Sequence, residues 1–208
     1  KFYNNQFTFV SDSICNLTNL YWSLGNGLYD SNIYNNDLCP SYPECIEDYV
    51  GYQDTSGCDN TLLVPSEYST IQSAIDAASE GDSILVSAGT YVENIIWPAT
   101  NGIKLIGSGE DDCIIDGSAL ASVIRFEEDL GGIIDSTTLI TGFTIHNGNA
   151  QGNGEYEKGG GMYLYNSSPT LTGVTFSGNT AEGFNYHDGG GGMFLYESSP
   201  TLNNIIFS

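Results

Sequence analysis

Cationic side chains are nearly absent from this sequence. Lys and Arg together number four among 208 residues, against 26 Asp and Glu, which gives a formal net charge of −22 at pH 7. A nucleic-acid partner is not expected, because contacts to phosphate groups require a basic surface. Anionic lipid is disfavoured as a ligand for the same reason. Long apolar runs are also lacking: none approaches the roughly 20 residues of a membrane-spanning helix, so no membrane span is predicted.

Cysteine is scarce and unevenly distributed. Four of the five cysteines lie near the N-terminus, at Cys15, Cys39, Cys45 and Cys58. Four cysteines can form three pairings, and we expect Cys39–Cys45 to close the loop containing two prolines, with Cys15–Cys58 as the second disulfide. The alternative is a metal site, but there is no Cys-x2-Cys spacing and both His residues lie far away in sequence. Disulfides predict an oxidising compartment.

The remaining cysteine, Cys113, lies in an apolar stretch and is predicted to be a buried free thiol. Little Lys or Arg, combined with abundant Asn, Gly, Ser, Thr and Tyr, predicts an extracellular or cell-surface protein. Two Asn-x-Ser/Thr sequons, at Asn16 and Asn166, are candidate glycosylation sites, although such short matches are frequent by chance.

The most informative feature that is present is a repeat with an offset of 31 residues: the segment 159–171 returns almost unchanged as 190–202. Three apolar series follow the same spacing: Phe143, Val174 and Ile205; Ile145, Phe176 and Phe207; Ile140, Leu171 and Leu202. Self-similarity at a fixed period of about 20–50 residues indicates stacked repeats.

Within one repeat the residues alternate with period two. Met162 and Leu164 share one face of a strand, and Tyr163 and Tyr165 share the other. The second copy keeps Met and Leu and retains aromatic residues at the other two positions. We therefore predict that Met and Leu point inward, and that the aromatic side chains stack outside. A second short strand, 172–176, follows a Ser-Ser-Pro corner.

Short strands that stack on their equivalents in the next turn predict an all-β fold, a right-handed parallel β-helix over about residues 61–208. Equivalent residues in such a solenoid lie about 4.8 Å apart. Residues 1–60 are predicted to form a separate, cysteine-containing segment of strands and loops, because Phe7-Thr8-Phe9-Val10 alternates and aromatic residues are dense there.

A short helix is predicted at the start of the β-helix. Ser69 and Gln72 have the spacing of a capping box, and apolar residues follow at helical intervals, which places a helix at about 69–79. Such a helix would cover the N-terminal end of the solenoid, where the core and unpaired backbone groups are otherwise exposed.

Two stretches resemble known families. The Gly-Gly-Gly-Met start and the run Phe176-Ser177-Gly178-Asn179 resemble the GGA[I/L/V] and FxxN repeats of polymorphic outer-membrane, adhesin-like β-helix proteins, with Gly in place of Ala. The segment 68–78, followed by Gly81-Asp82 and 88–93, resembles the N-terminal opening of pectin-lyase-like β-helices. These resemblances imply the β-helix fold, with a helix that plugs its N-terminal end.

Enzymes of the pectin-lyase-like fold act on polysaccharides with Asp pairs and Arg, or with Ca²⁺ and a basic residue. No residue here matches a catalytic motif of those enzymes, so no catalytic residue is predicted. Arg125, the single Arg, is expected to point outward, because it alternates with apolar neighbours. His146 is expected to be an exposed residue at a strand end. Other carboxylates, read as solvated loops, are Glu127, Glu128, Asp129, Glu155, Glu157 and Asp188, which follows His187.

No cofactor is required by this interpretation. Ca²⁺ is the one ion for which candidate ligands are named, because acidic turns supply the oxygen atoms that it prefers. Those candidates are Asp111, Asp112 and Asp116.

Two functions stay open. The first is a non-catalytic extracellular structural or adhesive module, part of a longer surface protein or of a filament that assembles end to end; its partners are further repeats or second copies. A β-helix edge with exposed Ile205 and Phe207 favours such docking. The alternative is a polysaccharide-active enzyme (lyase, esterase or hydrolase) or a carbohydrate-binding β-helix, with a glycan partner. Converging carboxylates beside a cation would favour the alternative.

Overall fold

A computed structural model describes residues 4–7, 9–17, 19–22, 33–39, 42–53, 58–127, 133–151, 158–182 and 189–208. The chain forms two compact units, Lys1–Cys58 and Asp59–Ser208. We call them the cysteine unit and the strand unit.

The described residues of the cysteine unit form two 3₁₀ helices, Asp12–Asn16 and Glu47–Tyr49, around a small apolar core. The core residues are Ile33, Leu38, Ile46 and Val50. The strands expected in this unit are not found among its described residues, in which a parallel bridge joins Asn36 and Gln53. Phe7 and Phe9 are both exposed, so their alternation does not mark a buried sheet face. A buried amide side chain, rather than a neighbouring strand, bonds to backbone carbonyls here: Gln53 Nε2 donates to the carbonyls of Ile33 and Val50.

The four N-terminal cysteines form two disulfides, Cys15–Cys45 and Cys39–Cys58, so the expected pairing of Cys39 with Cys45 and of Cys15 with Cys58 is wrong. A turn in which the Ile46 N–H donates to the Pro43 carbonyl at 2.9 Å positions Cys45 against the first 3₁₀ helix, which carries Cys15. The entropy of loop closure depends only weakly on loop length, so short spacing is a poor guide to pairing.

The described residues of the strand unit form one α-helix, α1 (Ile71–Ala77), and short strands. In chain order the strands are β1 (Thr61–Val64), β2 (Ser83–Val86), β3 (Gly89–Val92), β4 (Ile95–Ile96), β5 (Lys104–Gly107), β6 (Cys113–Asp116), β7 (Ile124–Phe126), β8 (Leu139–His146), β9 (Asn149–Gln151), β10 (Met162–Tyr165), β11 (Thr170–Ser177), β12 (Thr180–Glu182), β13 (Met193–Tyr196) and β14 (Thr201–Phe207).

These strands form three sheets in which every described pair is parallel. The first sheet has the order β1-β2-β5-β8-β11-β14, and β3 and β6 join it beside the second half of β8. The second sheet has the order β13-β10-β7-β4, and the third pairs β12 with β9. β8, β11 and β14 each bend at a residue with positive φ, at Gly142, Gly173 and Asn204. Glycine adopts this conformation without strain, and Asn is among the few other residues that tolerate it.

The chain visits the sheets in a fixed order. We call β7, β8 and β9 the first repeat, β10, β11 and β12 the second repeat, and β13 with β14 the third repeat. Met162 pairs with Met193, Val174 with Ile205, and Phe176 with Phe207, each at the offset of 31 residues read from the sequence. The described fold is therefore mostly β, with parallel sheets and one α-helix, as predicted.

The core of the strand unit consists of apolar columns that cross the repeats. Met162 and Leu164 are fully buried, as predicted. Tyr163 lies on the opposite face of β10 and was expected outside, yet it is also buried. It is stacked on Phe194, with ring centroids 5.7 Å apart, and it is covered by the guanidinium of Arg125.

Helix α1 buries Ile71, Ala74 and Ile75 against this core. Its N-cap is Thr70, one residue later than the predicted Ser69: Thr70 Oγ1 accepts from the Ser73 N–H at 3.1 Å. Gln72 is not part of the capping box, because its side-chain amide instead bonds to the backbone of Ile96.

Candidate functional site

The outer face of the second sheet carries stacked aromatic side chains. Tyr163 pairs with Phe194 and Tyr165 with Tyr196 between β10 and β13. The ring centroids of Tyr165 and Tyr196 lie 4.8 Å apart, and Tyr196 is 42 % exposed. We call these four residues the outer aromatic face. The in-register pairing of parallel strands places like side chains above one another, which allows the rings to stack.

Arg125 lies at the base of the outer aromatic face. It leaves β7 on the side opposite to the core, as predicted, but its side chain is buried, with only 3 % of the residue exposed. Its Nε donates to Glu127 Oε1 at 2.7 Å, its Nη1 donates to Ser122 Oγ at 3.2 Å, and its guanidinium carbon lies 4.1 Å from the Tyr163 ring centroid. Glu127 was read as a loop residue. Glu127 directly follows β7, and its spacing of two from Arg125 was the signal that both side chains could lie on one face.

This ion pair, with a buried Arg125 and a half-buried Glu127, is the strongest candidate in the described part of the chain for acid–base chemistry. The guanidinium is already engaged by a carboxylate, a hydroxyl and an aromatic ring. Such an arrangement neutralises a charge that would be costly to bury alone. The pair therefore stabilises the base of the outer aromatic face.

The structure does not bring the three calcium candidates together. Asp111 and Asp112 are exposed before β6, whereas Asp116 ends that strand, roughly 13 Å further along the chain direction. Asp116 Oδ1 accepts from the Ser118 N–H at 2.7 Å and from Asn147 Nδ2 at 3.0 Å, as in a turn. Among the residues that the structure describes, no group of three or more His, Cys, Asp or Glu side chains is arranged to hold a metal ion.

A polar column crosses the first sheet, where Asp116, His146 and Ser177 are register partners in β6, β8 and β11. His146 is half-buried, and its Nδ1 lies 2.9 Å from the Ser177 carbonyl oxygen. A carbonyl only accepts, so Nδ1 carries the proton in this bond. The imidazole thus contacts the backbone of Ser177, and the bond ties two repeats together. Glu128, Asp129, Glu155, Glu157, His187 and Asp188 lie outside the described residues.

Both sequon asparagines are exposed. Asn16 ends the first 3₁₀ helix, and Asn166 follows β10 with φ 45°. The hydroxyl of Ser168, the third residue of the second sequon, accepts from the Ser199 N–H at 3.0 Å. The thiol of Cys113 is free and buried, as predicted, and this burial raises its pKa. A raised pKa keeps the thiol protonated and unreactive near neutral pH.

The strand unit has two ends that differ. At the helix end, backbone groups of Leu63 in β1 and Ile96 in β4 that point away from their sheets are bonded within the unit. Glu67 Oε2 accepts from the Leu63 N–H at 3.1 Å, Gln72 Oε1 accepts from the Ile96 N–H at 2.8 Å, and Gln72 Nε2 donates to the Ile96 carbonyl at 3.0 Å.

The open end is formed by β13 and β14, the outermost strands of their sheets. Phe176 is 1 % exposed, whereas Phe207, its partner in β14, is 56 % exposed. Leu195, Leu202 and Ile206 are also exposed. A cavity of about 260 Å³ lies at this end, lined by Phe176, Asn179, Gly192, Phe207 and Ser208.

No protein-family model, curated protein or solved structure matches this chain. Within its described residues, no helix is both long enough and apolar enough to cross a membrane. Two disulfides are typical of a protein from an oxidising, secretory environment.

Proposed function

We propose that the strand unit is a right-handed parallel β-helix that acts as a non-catalytic, extracellular structural or adhesive module. Support for the solenoid comes from the fixed order in which the chain visits three parallel sheets, with partners 31 residues apart. Right-handed connection is the rule for parallel strands in one sheet. The two disulfides, the exposed sequons and the scarcity of cations support an extracellular location.

The observation that carries a structural rather than catalytic role is the regularity of the outer ladders. Tyr163 with Phe194, and Tyr165 with Tyr196, repeat the same surface in successive repeats. The candidate acid–base pair, Arg125 with Glu127, has its hydrogen-bonding groups directed at one another. Calcium is not required by this proposal.

A polysaccharide panel tests this function. The protein is incubated with neutral and anionic polysaccharides, and reducing ends, unsaturated uronate products and released esters are measured. We expect no product above the buffer control. Product formation that is lost in Glu127→Gln, with an unchanged melting temperature, would instead establish an enzyme centred on that ion pair.

Carbohydrate binding without cleavage is the second candidate, favoured by the exposure of the Tyr165–Tyr196 stack. Aromatic faces pack against the apolar faces of sugar rings, and neutral glycans avoid repulsion from a chain of −22 charge. Retardation in gels that contain neutral polysaccharides tests it. Tyr196→Ala is expected to remove retardation, whereas Tyr91→Ala, a change in the first sheet, serves as the control. Equal mobility with and without polysaccharide contradicts this candidate.

A further inference from the structure

The contact between the second and third repeats defines what chemistry the open end offers. Ile205 covers Val174 and Phe207 covers Phe176, as these cover Phe143 and Ile145 of the first repeat. Each repeat therefore completes the burial of the one before it. The same apolar columns reach the surface at Leu202 and Phe207. We call a polypeptide segment that docks at the open end the occupant. To continue the columns, it must present apolar side chains at the same spacing.

Serine residues at the corner add a directional polar pattern. The Ser167 N–H donates to Ser198 Oγ at 3.0 Å, and the Ser199 N–H donates to Ser168 Oγ at 3.0 Å. Ser198 and Ser199 hold at the open end the positions that Ser167 and Ser168 hold one repeat earlier. A matching Ser-Ser corner in an occupant would form the same pair of bonds.

The cavity shows which further side chain the occupant should supply. Asn179 Nδ2 donates to the Ile145 carbonyl at 2.8 Å, and Asn179 Oδ1 accepts from the Gly148 N–H at 2.8 Å. The Asn179 carboxamide thereby fills the space beside Gly161, where an added Cβ would lie 2.9 Å from Nδ2. Gly192 is the equivalent of Gly161 in the third repeat, and the cavity of about 260 Å³ occupies the corresponding space.

We propose that the open end is a docking site for one more repeat of the same 31-residue pattern, whose asparagine carboxamide fills the cavity beside Gly192. This inference rests on the proposed β-helical module and names its partner. No acidic or basic side chain lies between residues 198 and 208, so a strand that docks on β14 meets no charged side chain in that strand. The helix end of a second copy does not fit as the occupant, because Glu67 and Gln72 already bond its outward groups.

A tandem extension tests the proposal. A copy of residues 178–208 is appended directly after Ser208 of the full chain, which supplies the Phe-Ser-Gly-Asn run and a further Ser-Ser-Pro corner. We expect the melting temperature to rise by at least about 3 °C, and the Leu202 and Phe207 amides to exchange at least about tenfold more slowly. Changing the appended asparagine (Asn179→Ala within the copy) should remove part of both gains.

The matched control is an appended copy with Ile205→Asp and Phe207→Asp, which keeps length and corner but cannot continue the columns. Equal gains with this control, or no gain with the parent copy, would overturn the docking site. A stable dimer of the 208-residue chain that Phe207→Asp abolishes would also overturn it, by showing that the occupant is a second copy. Polysaccharide cleavage would overturn the proposed function while leaving these results unaffected.

Discussion

The two ends of the strand unit solve the same physical problem differently. Both expose the edges of parallel sheets, whose unpaired backbone groups and apolar columns favour pairing with another strand. At the helix end, α1 covers the columns, and Glu67 and Gln72 bond the outward groups of Leu63 and Ile96. At the open end, the columns reach the surface at Phe207 and no charged side chain guards β14. The two ends therefore differ in how far the described residues satisfy the edge of the sheet.

The largest expected effect comes from breaking the columns that both ends share. Val174→Asp places a carboxylate between Phe143 and Ile205 in a fully buried position. An unpaired buried charge should destabilise the strand unit by about 5 kcal/mol or more, a large part of the stability of an ordinary domain. Thr175→Asp, on the half-buried outer side of the same strand, is the control and should cost much less. Urea unfolding measures both, and equal costs would show that the assigned register is wrong.

Substituting a buried and an exposed phenylalanine of the same column sharpens the comparison. Phe176 and Phe207 are stacked, with centroids 4.9 Å apart, but only Phe176 is buried. Phe176→Ala should lower the free energy of unfolding by about 3–5 kcal/mol, as is typical of a core phenylalanine. Phe207→Ala should lower it by about 1 kcal/mol, because most of its surface already contacts water. Similar costs in thermal or urea unfolding would mean that the third repeat is covered in solution.

The repeat was the part of this structure that sequence predicts best. An offset of 31 residues translates directly into register, because parallel in-register strands place equivalent residues opposite one another. Contacts between segments of dissimilar sequence were harder to predict from the sequence. The partners of Cys39 and Cys45 depend on a turn at Pro43, and the burial of Arg125 depends on Tyr163 in the next repeat. The N-cap is Thr70 rather than Ser69, because Thr70 and Ser73 form the capping box, while Gln72 bonds to Ile96, a residue 24 positions away.

Reducing the disulfides tests whether the helix end depends on the cysteine unit. Both disulfides lie within that unit. Their reduction should destabilise it by about 2–4 kcal/mol, while the melting temperature of the strand unit changes by less than about 1 °C. Calorimetry with and without reductant measures both transitions. A matching drop in the strand-unit transition would contradict this expectation.

Thiol counting complements that experiment. The unreduced protein should show one reactive thiol, Cys113, after denaturation, and none while folded, because the thiol is buried and its pKa is raised. Five thiols in the unreduced, denatured protein would refute both disulfides.

The smallest expected effect concerns the edge bonds of the helix end. Gln72→Met keeps the length of the side chain but removes its two bonds to Ile96, and should cost about 1–2 kcal/mol. Asp76→Ala, which removes only the exposed bond from Gln72 Nε2, is the control. Equal and negligible costs in urea unfolding would show that these bonds do not protect the edge.

Residue-resolved amide hydrogen exchange tests the asymmetry of the two ends most directly. The N–H groups of Leu63 and Ile96 point away from their sheets, but they donate hydrogen bonds to the side chains of Glu67 and Gln72. The N–H groups of Leu202 and Phe207 point away from β11. Those of their neighbours Thr201 and Ser208 point towards it and donate to the carbonyls of Pro169 and Phe176. The account predicts that Leu63 and Ile96 exchange at least about tenfold more slowly than Leu202 and Phe207 in the 208-residue chain. Equal rates, or slower exchange at the open end, would contradict it.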